Sequence, residues 1–574
     1  MGIKQNIDSK NIPPLKAKKR EIIISIGLIS IITFFTFLPS LQNDFVNFDD
    51  NQYVTDNIII QDLSWESIKT IFSRFHMGHY HPLTLLSYWL EFQFFKLNPT
   101  AYHITNLFLH LLNSLLVLWV IWLLGGNLLT SLIVSLLFAI HPLHVESVAW
   151  ISERKDVLYS FFFLGSMIFF LHYRKTHRMS EYYLSLFLFV LSLLSKSMAV
   201  TLPLVFFLCD YLLNDKFDKK NIIAIIPFLF LALLFGVIAI LSKTPSGKVS
   251  QSPSVSFFEN ILIVSDLLVF YLSKLGIPTQ LSCLYPPVEG STHSWFYLSA
   301  VVIILMGGII LNRYPQKIRW GLLFFFVTLL PVLPIKIVAD RYTYIPYIGL
   351  FYIVGEGFSW FYDKIKGSKI GKISLLILLI GIIGIFSFLT WERCKVWRDS
   401  IRLWSDVLKN YPDMVIAHID RGTAFLYRRE YDRAISDFNQ ALGMKPSDDK
   451  ISSIYNNRGN AYAGKGLFDP ALSDFNQAIT LNPKYDAAYS NRGNAYFAKG
   501  LNEKALTDFN KALEINPRYV EAYFNKALVL EEMGRYQEAI EAYQRFIEDA
   551  PPQYGKHILH ARKRVKELYP RSFK

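Results

Sequence analysis

Asp49 and Asp50 are adjacent carboxylates within DFVNFDDNQYVTDN (44–57), flanked by Phe45, Phe48 and Tyr53. A carboxylate partly desolvated by aromatic rings holds a proton more tightly than one in water, so it can take a proton from a hydroxyl. The same pair also suits plain structural work, capping the next turn or solvating a loop. A second constellation is HPLHVESVAWISERKDVL (141–158), which gathers His141, His144, Glu146, Glu153, Arg154, Lys155 and Asp156. His141 and His144 with Glu146 have metal-ligand chemistry, but Pro142 breaks the helical spacing that would aim them at one ion, and no metal is expected. Arg154 and Lys155 are better suited to holding a phosphate through charge-assisted hydrogen bonds. A third is IKIVADRYTYIPYIG (335–349), where Arg341 stands among Tyr342, Tyr344 and Tyr347. Guanidinium matches phosphate bidentately and tyrosines offer a platform for a sugar or headgroup, although an interfacial aromatic belt has the same composition. The segment HMGHYHPLT (76–84) adds His76, His79 and His81, with nothing in the sequence to order them.

These residues sit in an unusual chain. Its 574 residues are 52% hydrophobic, 16% aromatic and 18% charged, and the mean hydropathy is +0.27. That excludes a disordered or fibrous protein and an ordinary soluble enzyme. Cys209, Cys283 and Cys394 fit no zinc spacing and build no disulfide framework. The composition changes near residue 391. Before it, apolar runs recur at 21–41, 103–124, 128–140, 156–172, 182–195, 197–213, 221–241, 295–311, 319–334, 347–362 and 373–391. The first run reads as a retained anchor rather than a cleaved signal, since it is long and LPSLQ lacks small residues at cleavage spacing.

Charge sets the expected orientation. Residues 1–20 carry Lys4, Lys10, Lys16, Lys18, Lys19 and Arg20 against Asp8 alone, which places the N-terminus in the cytoplasm. The 42–102 segment is acidic and falls outside, whereas YRKTHR (173–178), NDKFDKK (214–220), NRYPQKIR (312–319) and DKIKGSKIGK (363–372) fall inside. The pattern closes if 257–275 does not cross, giving eleven crossings with the C-terminal region outside. The net charge of +13 then reflects topology, and nucleic acid is not an expected partner.

After residue 391 the chain repeats with a period of 34, as in Gly459 and Gly493, Ala471 and Ala505, Phe475 and Phe509, and Pro483 and Pro517. The pattern is that of tetratricopeptide (TPR) repeats, helix pairs stacked into a solenoid that binds proteins or peptides. Residues 392–412 form a connecting half-repeat, 413–552 the repeats, and 553–574 a cap helix and tail. Asn460 and Asn494 end repeated RGN triplets that Asn457 and Asn491 precede, and all four are expected on the concave face, either clamping a peptide backbone or serving as ordinary repeat residues.

The motifs NFDDNQYV, HPLHVESVAWISERKDVLYSFFFLGS, LLSKSMAVTLPL and ADRYTYIPYIG, followed by TPRs, resemble the transmembrane and TPR-containing O-mannosyltransferase family. That family belongs to the GT-C class of polytopic glycosyltransferases. The resemblance implies an all-α, GT-C-like membrane domain over 21–391, a polyprenyl phosphate-linked sugar donor such as dolichyl phosphate mannose, and a protein hydroxyl acceptor. It maps the essential acid of the first outer loop onto Asp49, with Asp50 beside it. Arg154, Lys155, Arg341, Tyr342, His141 and Glu146 are then candidates for the donor phosphate or sugar. The implied mechanism is a single inverting displacement without a divalent metal. The membrane is a bacterial inner membrane or that of the endoplasmic reticulum, with the TPRs periplasmic or lumenal. Competing readings are a lipid-linked glycan ligase, a transferase that modifies glycans or lipids, and a membrane-anchored TPR scaffold without catalysis.

Overall fold

The computed structural model describes residues 15–214, 219–243, 257–286, 314–333, 337–365, 367–551 and 554–571. Among them the regular elements are helical, and a lone bridge between His76 and His79 is the only β pairing. The chain divides into two units, residues 1–399 and 400–574.

Among the described residues of the first unit, five helices are long and apolar enough to cross a membrane: Lys19–Gln42, Pro99–Leu123, Ile151–Thr176, Asn221–Ser242 and Lys369–Val396. Leu128–Ile140 and Pro142–Ala149 together are long and apolar enough as well, with a 53° bend between them. The expected spans 182–195 and 197–213 are shorter apolar helices. The expected spans 319–334 and 347–362 appear as Gln316–Leu329 and Tyr347–Lys364, and 295–311 lies outside the described residues. The segment expected not to cross forms the helix Phe257–Gly276. Helix Lys219–Ser242 leaves Ile223, Phe230, Leu233 and Ile240 exposed, and Lys369–Val396 does the same with Ile370, Ile377, Ile380 and Phe388. Such apolar faces are stable against lipid, because each helix satisfies its own backbone hydrogen bonds.

Polar contacts hold the centre of this unit together. Pro142 ends one helix, and the bend that follows is stitched by buried side chains of the helix Pro99–Leu123. Asn106 Nδ2 donates to the carbonyls of Val148 and Trp150 at 3.3 and 3.2 Å. Asn113 Nδ2 donates to Val157 O at 2.8 Å and to the Tyr344 hydroxyl at 3.1 Å. His110 Nδ1 also meets that hydroxyl, at 2.7 Å. Away from water, an unpaired carbonyl costs more than the bond it would make, so these amides fix the break in place. Helices Gln316–Leu329 and Tyr347–Lys364 touch through Gly321 and Gly349. A Cβ on Gly321 would sit 2.5 Å from the Gly349 carbonyl, so only glycine permits the approach.

The second unit is a solenoid. Helix Ser400–Asn410 buries Trp404 and Val407 and precedes the pairs Val415–Tyr427 with Tyr431–Gly443, Asp448–Gly464 with Phe468–Leu481, Asp486–Ala498 with Asn502–Ile515, and Val520–Glu532 with Tyr536–Asp549. Gly555–Leu568 closes the row. The two helices of a repeat approach closely because Gly422, Gly459 and Gly493 face Phe438, Phe475 and Phe509, whose rings lie 2.8, 2.7 and 3.0 Å from where a Cβ would stand.

Candidate functional site

The loop bearing Asp49 and Asp50 is held from several sides. Asn43 Nδ2 donates to Cys394 O at 3.1 Å, and the Asp44 amide donates to Arg398 O at 2.9 Å. Phe48 stacks on Trp150 with centroids 4.5 Å apart, and Trp150 Nε1 donates to Phe48 O at 2.8 Å. Trp150 stacks in turn on Trp397. Asp50 is the inner tie. Its Oδ2 accepts from the Val46 amide at 3.0 Å, while Oδ1 accepts from the Ser152 amide at 3.0 Å and its hydroxyl at 2.5 Å. Burial pushes the Asp50 carboxyl up to about 7 against these donors, which favour the ionised form.

Asp49 is different. It adopts a left-handed backbone with φ +66°, a conformation that costs a non-glycine residue of order 1 kcal/mol or more. The turn aims its side chain toward a cavity of about 470 Å³. It makes no ion pair or side-chain hydrogen bond among the described residues. Desolvation raises its pKa above the ordinary 3.8, and the nearby charge of Lys155 pulls it partly back.

The same cavity is lined by Lys155, Lys196, Lys243 and Arg341, against the two carboxylates Asp49 and Glu153. Glu153, buried, gathers the cations: Lys155 Nζ lies 3.1 Å away, Lys196 Nζ 3.4 Å and Arg341 Nε 3.2 Å. Lys196 also reaches Asp156 at 2.5 Å. Glu146 grips Arg341 through Nη1 and accepts its backbone amide at 3.0 Å. Lys155 lies 4.8 Å above the Tyr53 ring, and Arg341 sits 5.4 Å from Trp150 and 5.1 Å from Tyr342. Lys155, Lys196 and Arg341 are thus each anchored by an acid and a ring but keep N–H donors to spare, as an anion site requires. Behind Arg341, Asp340 accepts from the Tyr285 hydroxyl at 2.7 Å, and burial raises its carboxyl to about 7.

Of the residues given candidate site roles in sequence, the structure brings Asp49, Lys155, Arg341 and Tyr342 to the cavity. Four others have different places. Arg154 is fully buried, bonded to Asn106, to Tyr102 O at 2.9 Å and to Glu91 at 2.8 Å, so it has no face toward the cavity. His141 is buried among Tyr347, Phe351 and Phe386, with Nε2 3.2 Å from Leu275 O. Both are corrections to their expected donor contacts. Glu146 acts on the cavity through Arg341, and Asp50 ties the loop rather than facing the cavity. His141, His144 and Glu146 also form no cluster able to hold a metal among the described residues.

Glu153, Lys196 and His81 were not assigned roles from sequence. Lys196 carried a usable signal: a lone cation between two apolar runs is a functional candidate by default. In the solenoid, Asn491 Nδ2 donates to Asn456 Oδ1 at 2.9 Å, and Asn457 Nδ2 reaches Thr423 Oγ1 at 3.4 Å. Asn460 is partly buried and Asn494 exposed. The repeated arginines are staples: Arg421, Arg458 and Arg492 each grip the aspartate 16 residues on, Asp437, Asp474 and Asp508, through two bonds of 2.7–2.8 Å.

Fold and site together define an all-α polytopic membrane unit with a charged, aromatic-walled cavity, followed by a TPR array. Family models described as tetratricopeptide repeat match residues 397–449, 452–485 and 520–552, and one described as TPR repeat matches 493–534. The chain is similar to the human protein O-mannosyl-transferase TMTC3, 25% identical over 75% of this chain and 52% of that protein. It is also similar to protein O-mannosyl-transferase F38B6.6 of Caenorhabditis elegans, 24% identical over 70% of this chain and 59% of that protein, and to human TMTC4, 30% identical over 38% and 32%. The chain therefore spans about half the length of the curated relatives it matches. Among solved structures, that of MamA is 24% identical, with a TM-score of 0.24, over 27% of this chain and 89% of that chain.

Proposed function

We propose that this protein transfers a sugar, mannose-like, from a polyprenyl or dolichyl phosphate donor to Ser or Thr hydroxyls of proteins on the non-cytoplasmic face of a membrane. The observation that carries the reading is the unpaired Asp49 beside anchored cations in one cavity. The similarity to protein O-mannosyl-transferases supports the acceptor class.

In this reading the acceptor oxygen attacks the anomeric carbon from the face opposite the phosphate, inverting it, and its proton passes to Asp49. The bond from the anomeric carbon to the phosphate oxygen breaks through an oxocarbenium-like transition state, and the lipid phosphate leaves with the electron pair. Arg341 and Lys155, with Lys196 beside them, stabilise the growing charge on that phosphate. Burial of Asp49 strengthens it as a base, while the charge of Lys155 opposes that rise. Asp50 and Trp150 hold the loop so that Asp49 reaches the cavity without first paying for its order. No divalent metal is assigned to the reaction. Eleven crossings place this loop and the repeats on the outer side, and the TPR array binds the acceptor protein or a partner. The donor chain lies between membrane helices.

The test is transfer by the purified full-length chain from labelled polyprenyl phosphate monosaccharides. Label in a Ser/Thr peptide or protein supports the reading, label in glycan or lipid favours the other transferases, and no turnover favours a scaffold. Cysteine labelling at Asn43, Lys317 and Asn482 checks sidedness. Access to position 482 only after permeabilisation from the cytoplasmic face overturns the orientation.

A further inference from the structure

One wall of the cavity contains an element that the transfer chemistry above does not use. Residues 76–79 form a two-residue hairpin in which the His76 and His79 amides each donate to the other's carbonyl at 2.9 Å. Its central residues, Met77 and Gly78, both take the left-handed region, with φ +49° and +71°. That is the pattern of a type I′ turn, whose twist closes a hairpin tightly. The turn is pinned at both ends. The Ser242 hydroxyl donates to Gly78 O at 3.1 Å, and His76 Nε2 lies 3.1 Å from Gln52 O.

The chain then delivers His79 and His81 to the cavity lining. Tyr53 sits between His76 and His81, at ring distances of 5.0 and 5.4 Å, with Lys155 on its face. His81 is only 4% exposed, and its Nε2 has no hydrogen-bond partner among the described residues. An unsatisfied buried nitrogen costs ~1–3 kcal/mol, so a protein that keeps one beside a cavity has a use for it when the cavity fills. Burial and the charge of Lys155 lower His81 well below the usual imidazole value and His79 to about 4, so both rings are neutral near pH 7.

We propose that His81, with His79 beside it, hydrogen-bonds the hydroxyls of the donor sugar and sets which sugar the cavity accepts. The inference rests on the transfer reading above and adds the residues that read the sugar. A neutral imidazole offers one donor and one acceptor, which matches a sugar hydroxyl. A phosphate presents acceptors alone, and it is served by the cations Arg341, Lys155 and Lys196 of the same cavity. The two groups of side chains therefore differ in what they recognise: charged donors for the phosphate, neutral donor–acceptor rings for the sugar.

The experiment measures equilibrium binding of two lipids, polyprenyl phosphate and polyprenyl phosphate mannose, to the full-length chain in nanodiscs without acceptor. His81→Phe should weaken the mannosyl lipid by about tenfold, the worth of one neutral hydrogen bond, and leave the sugar-free lipid unchanged. His81→Gln, which keeps an amide donor and acceptor near Nε2, should recover most of the loss. Arg341→Ala should weaken both lipids together. Equal losses for the two lipids in His81→Phe, or no loss for either, overturn the sugar-reading role alone and leave the transfer reading standing. Wild-type protein that binds neither lipid overturns both.

Discussion

Acid–base pairs organise both units, but they are arranged in opposite ways. In the solenoid each Arg–Asp pair is bidentate and repeated, from Arg421–Asp437 to Arg492–Asp508, with both carboxylate oxygens used. Around the cavity, Glu153 is shared among Lys155, Lys196 and Arg341, and Asp49 has no ion pair or side-chain hydrogen bond among the described residues. A bidentate pair spends its hydrogen bonds on holding two helices at one distance. A shared acid holds several cations in place while leaving each with donors for something else, and the carboxylate outside the network keeps its capacity to take a proton. The contrast separates charge used for architecture from charge kept for chemistry. The last repeat makes the same point from the other side: Lys526 and Ala542 stand where the pair would recur, and the helices there still pack through Ala527 and Tyr543.

The comparison breaks most sharply at Glu153. Glu153→Gln removes the common anchor of buried cations, and such a change costs ~3–5 kcal/mol because the partners remain desolvated and unpaired. Thermal unfolding of the purified protein in detergent should register a large fall in Tm; an unchanged Tm would mean that the cations are held by Glu146 and Asp156 alone. Arg341→Ala should come next, lowering turnover by ~100-fold through loss of charge stabilisation on the leaving phosphate. Arg341→Lys keeps the charge without the fork and should fall between that variant and wild type. Near-normal rates in both would return Arg341 to a purely structural pairing with Glu146. Smallest is the staple. Asp508→Asn should cost ~1–2 kcal/mol in the solenoid, since its pair is partly solvated and its neighbours still pack. Turnover per folded molecule should not change.

How far the sequence disclosed this arrangement depended on the kind of signal. The repeats were legible because a period of 34 fixes which residues face each other, and Phe475 against Gly459 needs nothing beyond it. The Asp49 loop was legible as a polar, aromatic segment after an apolar helix, and the resemblance chose Asp49 over its neighbour. Arg154 and Lys155 were not separable. They are adjacent at the start of one helix, which points them in different directions, and only packing against Tyr102 and Asn106 sends Arg154 inward. The place of His141 is not legible in sequence for a similar reason, since Pro142 turns it into an aromatic pocket whose other walls come from distant helices. The histidines of 76–81 had no periodicity to read, because their order comes from a two-residue turn and a contact with Ser242, more than 160 residues away.

The central claim is that Asp49 is unpaired because it is the base. The direct measurement is single-turnover transfer from labelled polyprenyl phosphate mannose to a Ser/Thr peptide across pH, in wild-type protein and Asp49→Asn, with donor binding measured on the same samples. Asn matches Asp in size but cannot take the proton. In wild type the rate should fall as pH drops, through a pKa above the ordinary 3.8 of an aspartate, because burial raises Asp49 and only its ionised form accepts the proton. Asp49→Asn should bind donor normally and lose ~100-fold or more in rate, without that acid limb. Full transfer by Asp49→Asn with the acid limb intact would contradict the account.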